Sequence, residues 1–100
     1  TYEGGYWNFL GSERSGVWRY GEGYAQDIIG DLNVGAAGWL DWNVLLDHHG
    51  GPNHAGNNCD AAVVAHVEAQ ELWTHPQYYY MGHFSKYILP NSTRLGVKVI

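Results

Sequence analysis

The spacing of apolar residues predicts two helices in this chain. Tyr24, Ile28 and Leu32 recur every four positions and therefore share one helix face, which predicts a helix over residues 21–33. A second helix is expected over residues 76–87, because this stretch begins with a proline and proline is favoured in the first helical turn.

The remaining apolar runs predict extended segments. Residues 39–46 are apolar on both faces except for Asp41 and Asn43, as is typical of a strand in a sheet that is covered on both sides. Residues 61–67 are expected to form a short strand or extended segment, and the alternating residues 94–100 a further strand. A helix leading into an apolar strand is one step of an α/β arrangement, and one step cannot close a sheet. We therefore predict the α/β class and a chain that is a slice of a larger fold.

A long polar loop follows the first predicted strand and is a candidate binding site. Residues 47–60 contain three Gly, three Asn and three His, and loops of this length are usually functional or disordered. Trp42 precedes the loop, between Asp41 and Asn43. A flat apolar ring beside polar side chains suits a sugar, which has an apolar face and a rim of hydroxyls. The residues themselves leave Trp42 equally open to a role in the core and to stacking on a ligand.

The composition narrows the function classes. A net charge of -5 with only five Lys and Arg leaves no basic stripe, so we predict no nucleic-acid partner. Five Trp and eight Tyr are a heavy load of rings for the core of a 100-residue chain, so some are expected to face a ligand or another part of the protein. Cys59 is the single cysteine of the sequence, which rules out a disulfide within these residues.

The histidines are candidate metal ligands, and one acidic residue is a candidate active-site carboxylate. The side chains suited to zinc in the loop are His48, His49 and His54, with Asp47 or Asp60. Their spacing matches no zinc signature, so we predict no metal and no cofactor. Glu3 stands before two glycines and is a candidate carboxylate at the mouth of a site, whereas other acids such as Glu68 are typical solvated charges.

Three linked motifs connect these features. The stretch GWLDWNVLLDHHGGPNHAGNNCD carries W-x-D-W-N and GGPN, and the stretch YYYMGHFSKYILPNSTRLG carries GHFSK, a proline turn and R-x-G. In order and approximate spacing they closely resemble the last part of the catalytic barrel of glucosylceramidases, the acid β-glucosidases of glycoside hydrolase family 30. The resemblance runs from about Trp18 to Val99.

The resemblance implies a fold and its division into domains. Family members combine a (β/α)8 TIM barrel with a small β-sandwich, and the active site of such a barrel lies at the C-terminal ends of its strands. Residues 1–90 are therefore expected to form the C-terminal part of the barrel, from about the end of strand seven to helix eight, and residues 91–100 the start of the sandwich. A whole barrel needs roughly 250 residues, so the isolated chain is expected to be inactive.

The resemblance also implies a reaction, namely the retaining hydrolysis of glucosylceramide to glucose and ceramide. Family members use two glutamates, and the stretch TYEGG has Glu3 in the place of the nucleophile, although Tyr2 and Gly5 depart from the family motif. The acid/base glutamate has no counterpart in this chain.

Several residues correspond to the glucose pocket of the family. Trp42 and Asn57 match residues that line the pocket, Asp41 and Asn43 match the strand motif and are expected to support its floor, and His54 is expected at its rim.

The resemblance also implies partners and a cellular location for the protein, and two alternative functions remain open. The family implies glucosylceramide or another β-glucoside as substrate, with a lipid-presenting activator protein and a peripheral membrane surface as partners. It also implies a lysosomal or secreted location, in agreement with the glycosylation pattern at Asn91. Two alternatives are a β-1,6-glucanase of the same family and a carbohydrate- or lipid-binding module without catalysis.

Overall fold

The computed structural model describes residues 18–52, 54, 56 and 59–100. They form two helices and a three-stranded sheet, in the order α1 (Arg19–Asn33), β1 (Leu45–Asp47), β2 (Val63–His66), β3 (Glu71–Thr74) and α2 (Pro76–Ser85). This part of the chain therefore combines helices with a small mixed sheet.

Both helices lie where the sequence predicts them. α1 begins at Arg19, slightly before the expected start, and buries Tyr24 and Ile28 on the face that the four-residue spacing defines. α2 begins at Pro76, as expected, and ends at Ser85, slightly before the expected end.

The two helices pack against each other at Gly21. A Cβ atom at this position would collide with the ring of Tyr80 and would lie 3.0 Å from the carbonyl carbon of Pro76. Next to this contact, the Trp18 ring lies 5.8 Å from the ring of Tyr79 and 6.1 Å from that of Tyr80. Because Gly21 has no side chain, α2 approaches the backbone of α1 closely at this point.

The sheet joins a parallel and an antiparallel strand pair. β1 and β2 are parallel, with Leu45 opposite Val63, and β2 and β3 form an antiparallel hairpin. The hairpin turn is closed by a hydrogen bond of 3.1 Å from the Gln70 N–H to the Val67 carbonyl, and Gln70 has a φ of 56°. β2 confirms the short strand expected at residues 61–67, whereas β3 was not predicted.

The strand predicted over residues 39–46 is largely wrong. Only its end belongs to a strand, and that strand is Leu45–Asp47. A strand is defined by its pairing with a neighbouring strand, and within the described part of the chain β2 pairs with this segment only from Leu45 onwards. The Val63 N–H also donates to the Val44 carbonyl at 3.1 Å, but residues 39–43 have no such partner on β2.

Residues 39–44 are instead attached to α1 by side chains. The indole N–H of Trp39 donates to the carboxylate of Asp27 at 2.9 Å, and the Tyr24 hydroxyl donates to Asp41 at 3.3 Å. Burial alternates along this segment as it would in a strand, since the odd-numbered side chains are half-buried and the even-numbered ones are exposed.

Residues 94–100 do not form the expected strand either. Leu95, Val97 and Val99 are exposed, and no strand of the described sheet pairs with them. An alternating pattern alone does not make a strand without a partner to supply its hydrogen bonds. The start of a second domain at residue 91 stays a prediction.

The hydrophobic core of the described residues is small. Its buried apolar side chains come from both kinds of element and are Tyr24, Ile28, Leu46, Ala61 and Val64. Neither α1 nor α2 has the length and apolar character needed to cross a lipid bilayer.

Candidate functional site

A cleft of about 580 Å³ lies between the segment that follows Trp39 and helix α2. Its lining includes Asp41, Asn43, Val44, Tyr78, Met81 and Tyr87. Two of the predicted site residues, Asp41 and Asn43, therefore share one cavity.

Asp41 is half-buried and accepts two hydrogen bonds there. Its Oδ1 atom accepts from the backbone N–H of Trp42 at 2.8 Å and from the hydroxyl of Tyr24 at 3.3 Å. Burial disfavours the charged carboxylate and raises the pKa of Asp41, an effect that these hydrogen bonds reduce and the negative charge of Asp60 reinforces. Asp41 thus takes up a proton more readily than an exposed aspartate does.

Trp42 lies on the other face of this segment. Trp39 and Asp41 contact α1, whereas the neighbouring side chains of Leu40 and Trp42 are exposed, with 73% of the Trp42 surface accessible. Trp42 is not among the residues that line the cleft. The indole ring is therefore available for contact on the side away from α1.

A buried triad, formed by Asp60, His75 and Gln77, closes the far end of the long loop. Asp60 Oδ1 lies 2.7 Å from His75 Nδ1 and accepts the Ala61 N–H at 2.9 Å, while Oδ2 accepts from Gln77 Nε2 at 2.9 Å. His75 is fully buried and Gln77 nearly so. Since His75 is the N-cap of α2, the triad fastens the end of the loop to the start of the helix.

The triad keeps the carboxyl group of Asp60 ionised. Burial alone would raise the pKa of Asp60, but the hydrogen bond and electrostatic interaction with His75, followed by the hydrogen bonds from Gln77 and Ala61, outweigh it and lower that pKa. Asp60 is thus a structural anion that accepts hydrogen bonds from both sides of the loop–helix junction.

The near end of the loop is held by a second aspartate. Asp47 Oδ1 accepts the N–H groups of His49 at 2.8 Å and Gly51 at 2.9 Å, and these bonds lower the pKa of Asp47, the Gly51 bond most strongly. Gly50 adopts a φ of 80° in this tight turn, a value that glycine tolerates best. Further along, His54 is exposed.

The remaining predicted site residues, Glu3 and Asn57, lie outside the described residues. Of the others, Asp41 and Asn43 meet in the cleft, whereas Trp42 and His54 do not line it. Their roles in binding stay predictions.

The Asp60–His75 contact was not predicted from the sequence. The two residues are 15 positions apart, and the pattern of apolar residues carries no information about such a pairing. The stretch H-P-Q marks the start of α2 through its proline, but it does not indicate a partner for His75.

Comparison with known proteins shows which family this chain resembles. Residues 4–88 match the model of the glycosyl hydrolase family 30 TIM-barrel domain. The chain is 46% identical over 84 residues to "Putative glucosylceramidase 3" of Caenorhabditis elegans and 36% identical over 86 residues to "Lysosomal acid glucosylceramidase" of Mus musculus. These matches cover 84% and 86% of this chain.

A solved structure is similar as well. The structure of SrfJ from Salmonella typhimurium superposes with a TM-score of 0.72 at 37% sequence identity, over 75% of this chain and 17% of that one. The chain spans only 16% of the length of the worm relative and 17% of that of the mouse relative.

Proposed function

Because the chain belongs to glycosyl hydrolase family 30, as part of its TIM-barrel domain, we propose that the protein is a retaining β-glucosidase that hydrolyses glucosylceramide to glucose and ceramide. The substrate is supported by the names of the worm and mouse relatives. A lysosomal location is part of the proposal and is supported by the name of the mouse relative, whereas a secreted location has no such support.

The exposed face of residues 39–44 is the observation that carries this proposal. In a (β/α)8 barrel, one face of each strand contacts the surrounding helices and the other faces the barrel interior. Trp39 and Asp41 contact α1, so the opposite face, which carries Leu40 and Trp42, corresponds to the interior. Trp42 stands near the loop end of this segment, where the active sites of such barrels are found.

This assignment implies a position for each element in the barrel. We take residues 39–44 as the counterpart of strand eight, with α1 as the helix before it and α2 as the last helix. Glu3 then belongs at the end of strand seven, next to strand eight and at the same end of the barrel. The small sheet of β1, β2 and β3 forms part of the connection between strand eight and α2.

Glu3 acts as the nucleophile in the proposed mechanism. Its carboxylate attacks the anomeric carbon while a glutamic acid from another part of the protein protonates the leaving oxygen, and the bond from the anomeric carbon to that oxygen breaks. The two carboxyl groups are expected to lie about 5 Å apart, as retaining enzymes require. Water, deprotonated by the second glutamate, then displaces Glu3 and releases glucose with retained configuration.

The other predicted residues bind the sugar or support those that do. Trp42 stacks against the apolar face of the glucose ring, and Asn57 and His54 belong to the loop beside it. Asp41 supports Trp42 from behind, because its carboxylate accepts the backbone N–H of Trp42 and the hydroxyl of Tyr24 on α1. Asn43 lies beside Asp41 in the cleft and contributes to the same support.

Covalent labelling of the intact protein tests the nucleophile. An epoxide analogue of β-glucose is expected to label the peptide that contains Glu3, and Glu3→Gln is expected to abolish both labelling and turnover. Glu22→Gln is the matched control, since Glu22 is an exposed acid in the first turn of α1. A label on a different residue in an active enzyme would disprove the role of Glu3.

Substrate profiling tests the reaction and the role of Trp42. Trp42→Ala is expected to raise KM for glucosylceramide, because the sugar loses its stacking surface. Cleavage of β-1,6-glucan without cleavage of glucosylceramide would replace the proposed substrate. Sugar binding with neither turnover nor labelling would favour a binding module.

A further inference from the structure

Two histidines and a glutamate meet at one edge of the small sheet, away from the cleft. This histidine cluster consists of His48, His66 and Glu68. β1 and β2 are parallel and therefore end at the same edge, where His48 follows β1 and His66 is the last residue of β2. The backbone N–H of His48 donates to the Ala65 carbonyl at 3.0 Å, which fixes the position of His48 beside β2.

The distances within the histidine cluster are close to those of a metal site. Glu68 Oε2 lies 3.7 Å from His48 Nδ1 and 3.9 Å from His66 Nδ1, and one potential ligand atom from each residue lies within 4.8 Å of the others. Ligands around a tetrahedral zinc ion are roughly 3.4 Å apart at metal–ligand distances of about 2.1 Å. Glu68 is exposed, so a small movement of its side chain can shorten its own distances to the two histidines.

Both imidazole nitrogens can serve as ligands. His48 Nδ1 is buried and has no hydrogen-bond partner among the described residues, although the His48 side chain is 19% accessible overall. His66 Nδ1 accepts the backbone N–H of Ala69 at 3.1 Å, so this nitrogen presents a lone pair, as a metal ligand must. A metal ion would replace Ala69 at this lone pair, and the exposed Ala69 N–H would then bond to water.

We propose that His48, His66 and Glu68 bind one divalent ion of the zinc class. Two imidazole nitrogens and one carboxylate oxygen form a ligand set that zinc uses, with the remaining position open to water. Calcium and magnesium are disfavoured because they select sites built almost entirely of oxygen ligands. The loop histidines by themselves match no zinc spacing, and it is the pairing of β1 with β2 that adds His66 and Glu68 to His48.

Isothermal titration of the intact protein with Zn²⁺, after treatment with a chelator, tests the site. We expect one ion per chain. Changes to outer-shell residues alone typically weaken metal affinity roughly 10- to 100-fold, so loss of a ligand should raise Kd at least tenfold. His66→Ala and Glu68→Gln are therefore both expected to raise Kd by that factor, and Glu68→Gln changes an exposed side chain that the fold does not need.

His83→Ala is the matched control because His83 is an exposed histidine of α2 outside the cluster. Its Kd and stoichiometry should equal those of the parent protein. Equal zinc binding by the parent, His66→Ala and Glu68→Gln proteins would overturn the proposal, as would a parent protein that binds no zinc. The heat of binding is measured without substrate, so the outcome does not depend on the proposed glucosidase reaction.

Discussion

The buried triad and the histidine cluster use the same residue types in opposite environments. In the triad, Asp60 and His75 lie 2.7 Å apart with almost no accessible surface. In the cluster, Glu68 lies 3.7 and 3.9 Å from two histidines and is 72% accessible. The pKa of both carboxyl groups is lowered. For Asp60 the interaction with His75 outweighs the effect of burial. For Glu68 the largest cause is the hydrogen bond from its own backbone N–H.

The comparison shows that hydrogen-bond partners and access to solvent together decide whether a histidine–carboxylate contact stabilises the fold or can bind an ion. The Asp60 carboxylate has exchanged water for internal hydrogen bonds, so its removal deprives the buried Nδ1 of His75 and Nε2 of Gln77 of this acceptor. The cluster keeps access to water and holds its groups slightly too far apart for hydrogen bonds. It therefore contributes little to stability but can accept an ion.

Removal of the buried charge should have the largest effect. Asp60→Asn is expected to lower the free energy of unfolding by about 3 to 5 kcal/mol, because His75 and Gln77 lose the anion that they surround. Glu68→Gln is the matched amide substitution and should leave the urea midpoint of the intact protein unchanged. Equal midpoint shifts in the two variants would contradict the distinction between the triad and the cluster.

Acid should weaken the triad in a defined direction. The folded state lowers the pKa of Asp60 below its ordinary value of 3.8, so the stabilisation by its charge is complete above that value and is lost as the pH falls through the lowered pKa. Urea unfolding from pH 6 downwards should therefore show a loss of stability in acid. If the Asp60→Asn protein loses as much stability as the parent over this range, Asp60 is not the source.

Asp41→Asn should have a smaller effect of the opposite sign. The folded state raises the pKa of Asp41, so its charge opposes folding once the pH exceeds the raised value, and a neutral amide avoids this cost. The amide oxygen can still accept from Tyr24 and Trp42, so we expect a gain of up to about 1 kcal/mol at neutral pH. A loss comparable to that of Asp60→Asn would mean that Asp41, too, is a required anion.

The smallest expected effect is at the hairpin turn that carries Glu68. Gln70 has a φ of 56°, a left-handed conformation that costs a residue with a side chain about 1 kcal/mol and costs glycine almost nothing. Gln70→Gly should therefore stabilise the protein by up to about 1 kcal/mol. Ala69 does not have a positive φ, so Ala69→Gly relieves no strain and serves as the control. A similar gain in stability in both variants would argue against strain at Gln70.

The helices were predictable because their signals are local. The four-residue spacing of Tyr24 and Ile28 and the proline at residue 76 act within one or two helical turns. β3 was missed, and the strand over residues 39–46 was largely wrong, because pairing with a distant segment decides which residues form a strand.

The local features of the candidate site were predictable from the sequence, but its long-range contacts were not. The alternation of Trp39, Asp41 and Trp42 between two faces follows from their spacing, and the structure retains it although most of that segment is not a strand. The triad and the histidine cluster depend on contacts between residues far apart in sequence, such as His48 with His66. A single sequence gives no signal for such contacts.

The pairing of β1 with β2 has a consequence for how this family region can diversify. Because Leu45 lies opposite Val63, the connecting loop leaves and re-enters one strand pair, and the hydrogen bond from the Cys59 N–H to the Gly50 carbonyl draws the loop together. A loop anchored in this way can gain, lose or exchange residues at little entropic cost to the elements that flank it. Related proteins of the family can therefore vary this one loop while they keep the elements that flank it.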